Sequence, residues 1–414
     1  MSATAVLEAP PAMSSTTSTN FNYAVGYLKA SIVACVVALH SVLAYHPAAP
    51  PPPVSLLAHP RIWLGFPVFD SHHAAWAGVL ATVADMFGMA LMFFLSGLFV
   101  WSSLKRKGRL GYLRDRLLRL GVPFVAVAVI ITPLSYYPTY LQIAGHGGFE
   151  DFLRQWLALG KWSAGPAWFC WLLLVFDCIA ASLILLAPRW GEMLGQLTGR
   201  FPRHPEWFFL LWVAITAAVY IPMVLVFGPF SWPAWGPFTF QVSRVLFYLA
   251  YFFAGIGVGA WGLERGLLAR GGKFARLWPL WLMIAIVAFL VHSKAIEAVR
   301  SHPLPRTLQA ALQSIPVMGA LILFAVFCAA ASFTCLALFI RFVNSRRQAF
   351  DNLASNAYGI FLIHFVFVSW IGYAISAAEA PAVVKFALVS AGALAMSWVG
   401  TVLIRRIPGA ARII

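Results

Sequence analysis

Five ionisable residues, Lys29, His40, Asp85, Asp177 and His364, stand inside stretches of sequence that are otherwise apolar. A charged or titratable group inside a membrane is costly, so each is a functional hypothesis that must be weighed against a buried structural pair. Lys29 and His40 are eleven residues apart, which at 100° per residue falls about 20° from three full helical turns and sets them on one face, roughly 16 Å apart in depth. An imidazole titrating near about 6.5 can take the proton of an attacking hydroxyl, or carry a group transiently as a nucleophile. The alternative for a lone histidine is a hydrogen bond to a neighbouring helix, and His364, in the run Ala357-Tyr-Gly-Ile-Phe-Leu-Ile-His364, carries the same two readings. Asp85 falls near one end of its apolar segment, where the membrane interface would tolerate it. Asp177 falls mid-segment, where a buried pair is the expected reading.

The densest run of positive charge is Lys105, Arg106, Lys107, Arg109, Arg114, Arg116 and Arg119. Arg116-Leu-Leu-Arg119 places two guanidiniums on nearly one helical face, and the guanidinium fork matches phosphate oxygens. A phosphorylated cofactor docking here and simple charge sorting beside a bilayer both account for the run.

These residues are positioned by a polytopic all-α bundle. The chain has 414 residues, 61% hydrophobic and 10% charged, far from the balance of a soluble domain. Ten segments are long and apolar enough to span a membrane, at about 24–45, 82–103, 119–140, 166–187, 207–227, 243–262, 277–293, 315–340, 357–375 and 384–404. With alternating spans, the even-numbered connections and the C-terminal tail hold 20 of the 29 Lys and Arg residues. The positive-inside rule then expects both termini in the cytoplasm. Residues 1–22 read as a disordered cytoplasmic tail without the basic start of a signal peptide, 23–405 as the membrane domain, and 406–414 as a short tail.

The net charge of +16 is therefore a matter of topology, and no nucleic-acid partner is expected. Cys35, Cys170, Cys178, Cys328 and Cys335 lie in apolar segments without metal-ligand spacing, so neither a disulfide nor a metal is expected. Gly255-Ile-Gly-Val-Gly259 reads as close helix packing. No internal repeat is visible. Ser96 lies in Phe-Leu-Ser-Gly, which is no nucleophile elbow, and the chain holds neither HExxH nor a P-loop. The connection between the first two spans, with Pro50–Pro53, His59, Asp70, His72 and His73, is long enough to face an acceptor, although solvated loop histidines are the simpler reading.

Four stretches resemble the integral-membrane acyltransferase-3 family. They are Tyr27-Leu-Lys29 through His40, Met92-Phe-Phe-Leu-Ser96-Gly97-Leu with the basic run ending at Arg119, Gly165-Pro166-Ala-Trp168-Phe169, and Tyr358 through His364. The family usually has Arg at the position of Lys29, and Ser where Ala357 stands. The resemblance implies transfer of an acyl group, acetyl or succinyl in type, from cytosolic acyl-CoA to a hydroxyl of a glycan, glycolipid or related acceptor in a bacterial inner membrane. No tightly bound cofactor is implied, acyl-CoA being a substrate. On this reading His40 is the base or acyl carrier and His364 a second catalytic candidate. Lys29, Arg116, Arg119 and Ser96 meet the CoA, while Trp168 and Asp85 meet the acceptor. The rival reading is a transporter or flippase for a related substrate, which needs buried ionisable groups but no thioester.

Overall fold

The computed structural model describes residues 15–58, 65, 66, 68–145, 147–160, 163–264, 266–301 and 314–414. His59, and residues 1–14 of the segment read as a tail, lie outside the described residues. In chain order the helices are α1 (Ser15–Val42), α2 (Ala75–Gly97), α3 (Val100–Arg116), α4 (Val122–Ala126), α5 (Thr132–Ala144), α6 (Phe149–Ala158), α7 (Trp168–Leu186), α8 (Trp190–Thr198), α9 (Pro205–Phe227) and α10 (Val245–Trp261). There follow α11 (Lys273–Arg276), α12 (Trp278–Ser301), α13 (Ile315–Phe342), α14 (Gln348–Ile375) and α15 (Ala382–Ile404). Strands β1 (Ala234–Trp235) and β2 (Phe238–Thr239) form a small antiparallel hairpin between α9 and α10.

Among the described residues, ten helical stretches are long and apolar enough to span a membrane. Helices suit that setting because each satisfies its own backbone hydrogen bonds where no water can. Alternation brings the start of α3, α8, α11, the start of α14 and the end of α15 to one end of the bundle. It is called the basic end below, and the opposite one the far end.

Several boundaries differ from the sequence reading. The second span begins at Ala75 rather than near residue 82, the ninth at Gln348 rather than near 357, the seventh ends at Ser301 rather than near 293, and the basic connection is helical along its length. Val100–Ala144 forms one 45-residue helical stretch, roughly twice what a bilayer requires. A break at Gly108, whose φ of 68° suits glycine, divides the basic run after Lys107.

Proline shapes the rest of that stretch. Two wide helical turns, Leu117–Gly121 and Val127–Ile131, interrupt it. Pro123 and Pro138 have no N–H for the carbonyls four residues earlier, Arg119 and Leu134. Both orphaned carbonyls are capped from α14: the Tyr358 hydroxyl donates to Arg119 O, and Trp370 Nε1 donates to Leu134 O at 3.0 Å.

Glycine sets the closest crossing. A Cβ on Gly97 would lie 2.2 Å from Phe252 O, and one on Gly255 would lie 2.1 Å from Phe94 O. Gly259 meets Leu98 O in the same way, while Gly257 turns to Thr198 and Leu194. The Gly255–Gly259 motif is thus the packing seam of α10 against α2, as its spacing suggests.

At the far end α6 lies on the bundle through Phe152 and Trp156, which join Tyr136, Tyr140, Phe365 and Leu56 in a separate aromatic cluster. The loop between α1 and α2 is tied down as well. Phe69 exchanges two backbone hydrogen bonds of 2.9 Å with the Gln142 amide. Asp70 pairs with Lys385 at 2.8 Å, and both side chains are almost fully buried.

Candidate functional site

Helices α1 and α14 bring the two sequence-singled histidines together. The His40 and His364 rings stack with centroids 5.3 Å apart, tilted by 39°. Phe365 meets His40 edge-on at 5.0 Å. Phe365 in turn abuts Tyr136, and Tyr136 stacks on Trp156, so a ladder of rings closes the far side of the pair.

The hydrogen bonding is incomplete in an informative way. His364 is wholly buried, and its Nδ1 lies 2.8 Å from Phe361 O. A carbonyl only accepts, so Nδ1 carries the proton and Nε2 is left as an acceptor. That Nε2, and Nδ1 of His40, are buried without a partner among the described residues. Each such atom costs about 1–3 kcal/mol, and an uncompensated pair in one place calls for an explanation beyond packing. His40 itself is only half-buried, so one side of its ring remains reachable.

Towards the basic end, on the same face of α1, Lys29 Nζ sits 5.1 Å from the Phe99 ring centroid. Arg116 lies within electrostatic reach of Lys29. The sequence reading left Arg116 free for phosphate, but the structure gives it a protein partner. Its Nε lies 3.2 Å from Oδ2 of Asp177, whose side chain is fully buried, and Tyr112 donates its hydroxyl to Asp177 Oδ1. The guanidinium also stacks on the Tyr112 ring at 5.0 Å. Asp177 is therefore a buried structural pair, as its mid-segment place suggested, and it aims the arginine.

Arg119 is exposed and contributes its capped carbonyl rather than a placed side chain. Ser96 bonds to Met92 O at 2.8 Å. It lies in the last turn of α2, at the basic end.

The two residues read as acceptor contacts fall in a different group. Asp85 is bound by Arg244, with Nη2 2.7 Å from Oδ2 and Nη1 3.1 Å from the Asp85 carbonyl. Trp168 packs against Tyr248 at 5.8 Å and Trp232 at 5.6 Å, and Tyr248 is within electrostatic reach of Arg244. Arg244 was missed by the sequence reading, which counted it only as a far-side charge. Its signal was there: an arginine at the far-end start of one span and an aspartate at the far-end start of another share a depth.

Apart from these groups, a cleft of about 450 Å³ opens at the basic end, lined by Arg346, Asp351, Asn352, Asn356 and Arg405. It lies on the face of α14 that meets α15, away from His364.

No curated protein and no solved structure matches the chain. A family model described as an acyltransferase domain matches residues 22–402, which takes in all ten spans but the last two residues of the tenth, and every candidate site residue named above. The four stretches whose types and order resembled that family thus sit inside one match running through nearly the entire membrane domain, and the chain belongs to the integral-membrane acyltransferase-3 family.

Proposed function

We propose that this membrane acyltransferase moves an acetyl- or succinyl-type group from cytosolic acyl-CoA to a hydroxyl of a carbohydrate-bearing acceptor, with His40 as the general base. The observation that carries the reading is the His40–His364 pair, with its two unpartnered ring nitrogens on the same side of α1 as Lys29. Placing the basic end in the cytosol follows the charge sorting and sets Lys29 and Arg116 where CoA phosphates arrive.

The chemistry divides among the chain's own groups. His364 Nε2 accepts the Nδ1–H of His40 once the stacked rings close slightly, a tightening expected between a resting and a reacting site. That bond fixes His40 in the tautomer whose Nε2 faces the open side. Nε2 takes the acceptor's hydroxyl proton as the oxygen attacks the thioester carbonyl. When the tetrahedral adduct collapses the C–S bond breaks, and the imidazolium returns the proton to the departing CoA thiolate. Lys29 and Arg116, the latter aimed by Asp177, offset the charge of the donor.

The test is release of free CoA by the purified chain in nanodiscs, given acetyl-CoA or succinyl-CoA with a pooled cell-envelope glycan extract. Extract-stimulated release that His40→Ala loses while remaining folded is the expected result. A fully active His40→Ala variant would remove the histidine from its role, and folded protein that neither binds CoA nor releases it would remove the reaction.

A further inference from the structure

Beyond the histidine pair, the far end of α2 holds a second polar group that the mechanism above does not use. The Arg244 side chain is 5% exposed while that of Asp85 is 48% exposed. The arginine takes Oδ2 and the backbone carbonyl of Asp85. Oδ1 is left open, with no bond to it among the described residues. Arg244 also stacks on Phe324 at 4.9 Å and keeps a buried Nε without a partner. A buried arginine therefore holds a carboxylate by one oxygen and presents the other.

Depth can be read from the helices. α1 and α2 are antiparallel, and their far ends are joined where Ala74 N bonds Tyr45 O at 3.0 Å. Gly78 of α2 faces His46 and Pro47, where a Cβ would lie 3.5 Å from His46 Nε2. From that level His40 is six residues back along α1 and Asp85 seven residues along α2, roughly 9 and 10 Å. Asp85 thus stands at about the depth of His40. Between Phe99 and Asp85 the residues on that same side of α2, Met89, Met92 and Ser96, are half-buried, while Met86, Leu91, Leu95 and Leu98 are buried. Trp168 and Trp232, both half-buried and edge-to-face, lie beside this group through Tyr248.

We infer that Asp85, held by Arg244 and flanked by Trp168, is the subsite that receives the acceptor's sugar hydroxyls while another of them is presented to His40. An open carboxylate oxygen accepts hydroxyl hydrogen bonds, and an indole face covers the apolar side of a pyranose ring. Arg244 is a positioning residue: it touches no substrate and fixes the direction of Oδ1. This subsite rests on the acyl-transfer reading for its purpose, but its occupancy can be measured without turnover.

The experiment uses the full chain in nanodiscs with Met89→Cys, one turn from Asp85, and a charged, membrane-impermeant thiol reagent. Met86→Cys and the native chain serve as controls. Met89→Cys is expected to react about tenfold faster than Met86→Cys, since a thiol reacts as it is exposed. Methyl α-D-glucopyranoside is expected to slow it. Adding Asp85→Asn should raise the sugar concentration needed for protection about tenfold, the effect of losing one charge-assisted hydrogen bond, while labelling without sugar stays the same. Arg244→Lys, which keeps the charge but loses the fork, should fall between. Labelling at Met89→Cys no faster than at Met86→Cys, no protection by the sugar, or equal protection in Asp85→Asn would each overturn the subsite. Asp85-dependent protection in a chain that transfers no acyl group would instead sustain the subsite and overturn the reaction.

Discussion

Two of the polar clusters in the far half of this bundle, one around Lys385 and one around His40, are finished to different degrees. Around Lys385 every strong group has a partner: Nζ reaches Asp70 Oδ2 at 2.8 Å and Ser376 O at 2.9 Å, and Asp70 Oδ1 takes the His72 backbone N–H at 2.9 Å. Around His40 and His364 two buried nitrogens have none. The first cluster pins a loop to α15 and is complete at rest. The second is complete only when something else binds or the rings close. A buried polar network that is fully satisfied rigidifies, whereas one left partly open in a native protein marks work to be done.

The comparison breaks first, and most visibly, at His40. His40→Ala should lower acyl transfer by about 10²–10⁴-fold, the usual contribution of a positioned base, with the melting temperature close to that of the parent. Steady-state CoA release and a thermal melt on the same preparation decide it. If activity persists, the open nitrogens have another cause. His364→Ala should cost less, because it loosens the tautomer of His40 without removing the base.

At Lys385 the expectation is inverted. Lys385→Ala leaves Asp70 charged and buried with only His72 beside it, which costs about 3–5 kcal/mol. The melting temperature should fall steeply, and the rate per folded molecule should stay near that of the parent. Replacing both partners together, Lys385→Met with Asp70→Leu, should recover most of the loss, since no uncompensated charge remains. A Lys385→Ala chain that melts normally but loses activity would erase the contrast between the two clusters.

A smaller effect is expected at the glycine seam, which sets the distance between α2 and α10 and thus the placing of Ser96 and Asp85. Gly255→Ala puts a methyl against the Phe94 carbonyl and should destabilise by about 1–3 kcal/mol, the cost of overpacking. Gly319→Ala is the control, because a Cβ there meets nothing within 4 Å. Thermal melts of the two should separate clearly.

Much of this was legible in the sequence, and the gaps have physical reasons. The ten spans follow from runs of apolar residues, because the bilayer demands about 20 of them each. The shared face of Lys29 and His40 follows from helical period alone. The start of α2 was missed because Ala75–Ala81 follows two histidines and carries little hydrophobic contrast. The basic run before Arg116 was read only as a connection, because its charge density marks it as lying outside the bilayer and says nothing of whether it is helical. Partners at long range were least visible. Arg244 lies 159 residues from Asp85, and Lys385 lies 315 from Asp70, so neither pairing leaves a periodicity to read. The meeting of His40 with His364 is of this kind too: each residue stood out, but only packing of α1 on α14 makes them a pair.

Tyr358 tests whether completion of a polar group, rather than its mere presence near the site, is what separates structure from chemistry. It belongs to the Tyr358–His364 stretch and lies near Arg116 and Arg119, yet its hydroxyl is committed to Arg119 O. That carbonyl needs a side-chain donor because Pro123 has no N–H to give it. Tyr358→Phe should therefore destabilise by about 1 kcal/mol through the orphaned carbonyl. With Pro123→Ala, which restores a backbone N–H at the right position, the same change should cost almost nothing. The double-mutant cycle read by thermal melts should show a coupling of about 0.5–1 kcal/mol between two residues 235 apart in sequence. Activity should follow stability through the cycle. If Tyr358→Phe abolishes transfer in both backgrounds, the hydroxyl acts on the donor, and a satisfied group joins the open histidines in the chemistry.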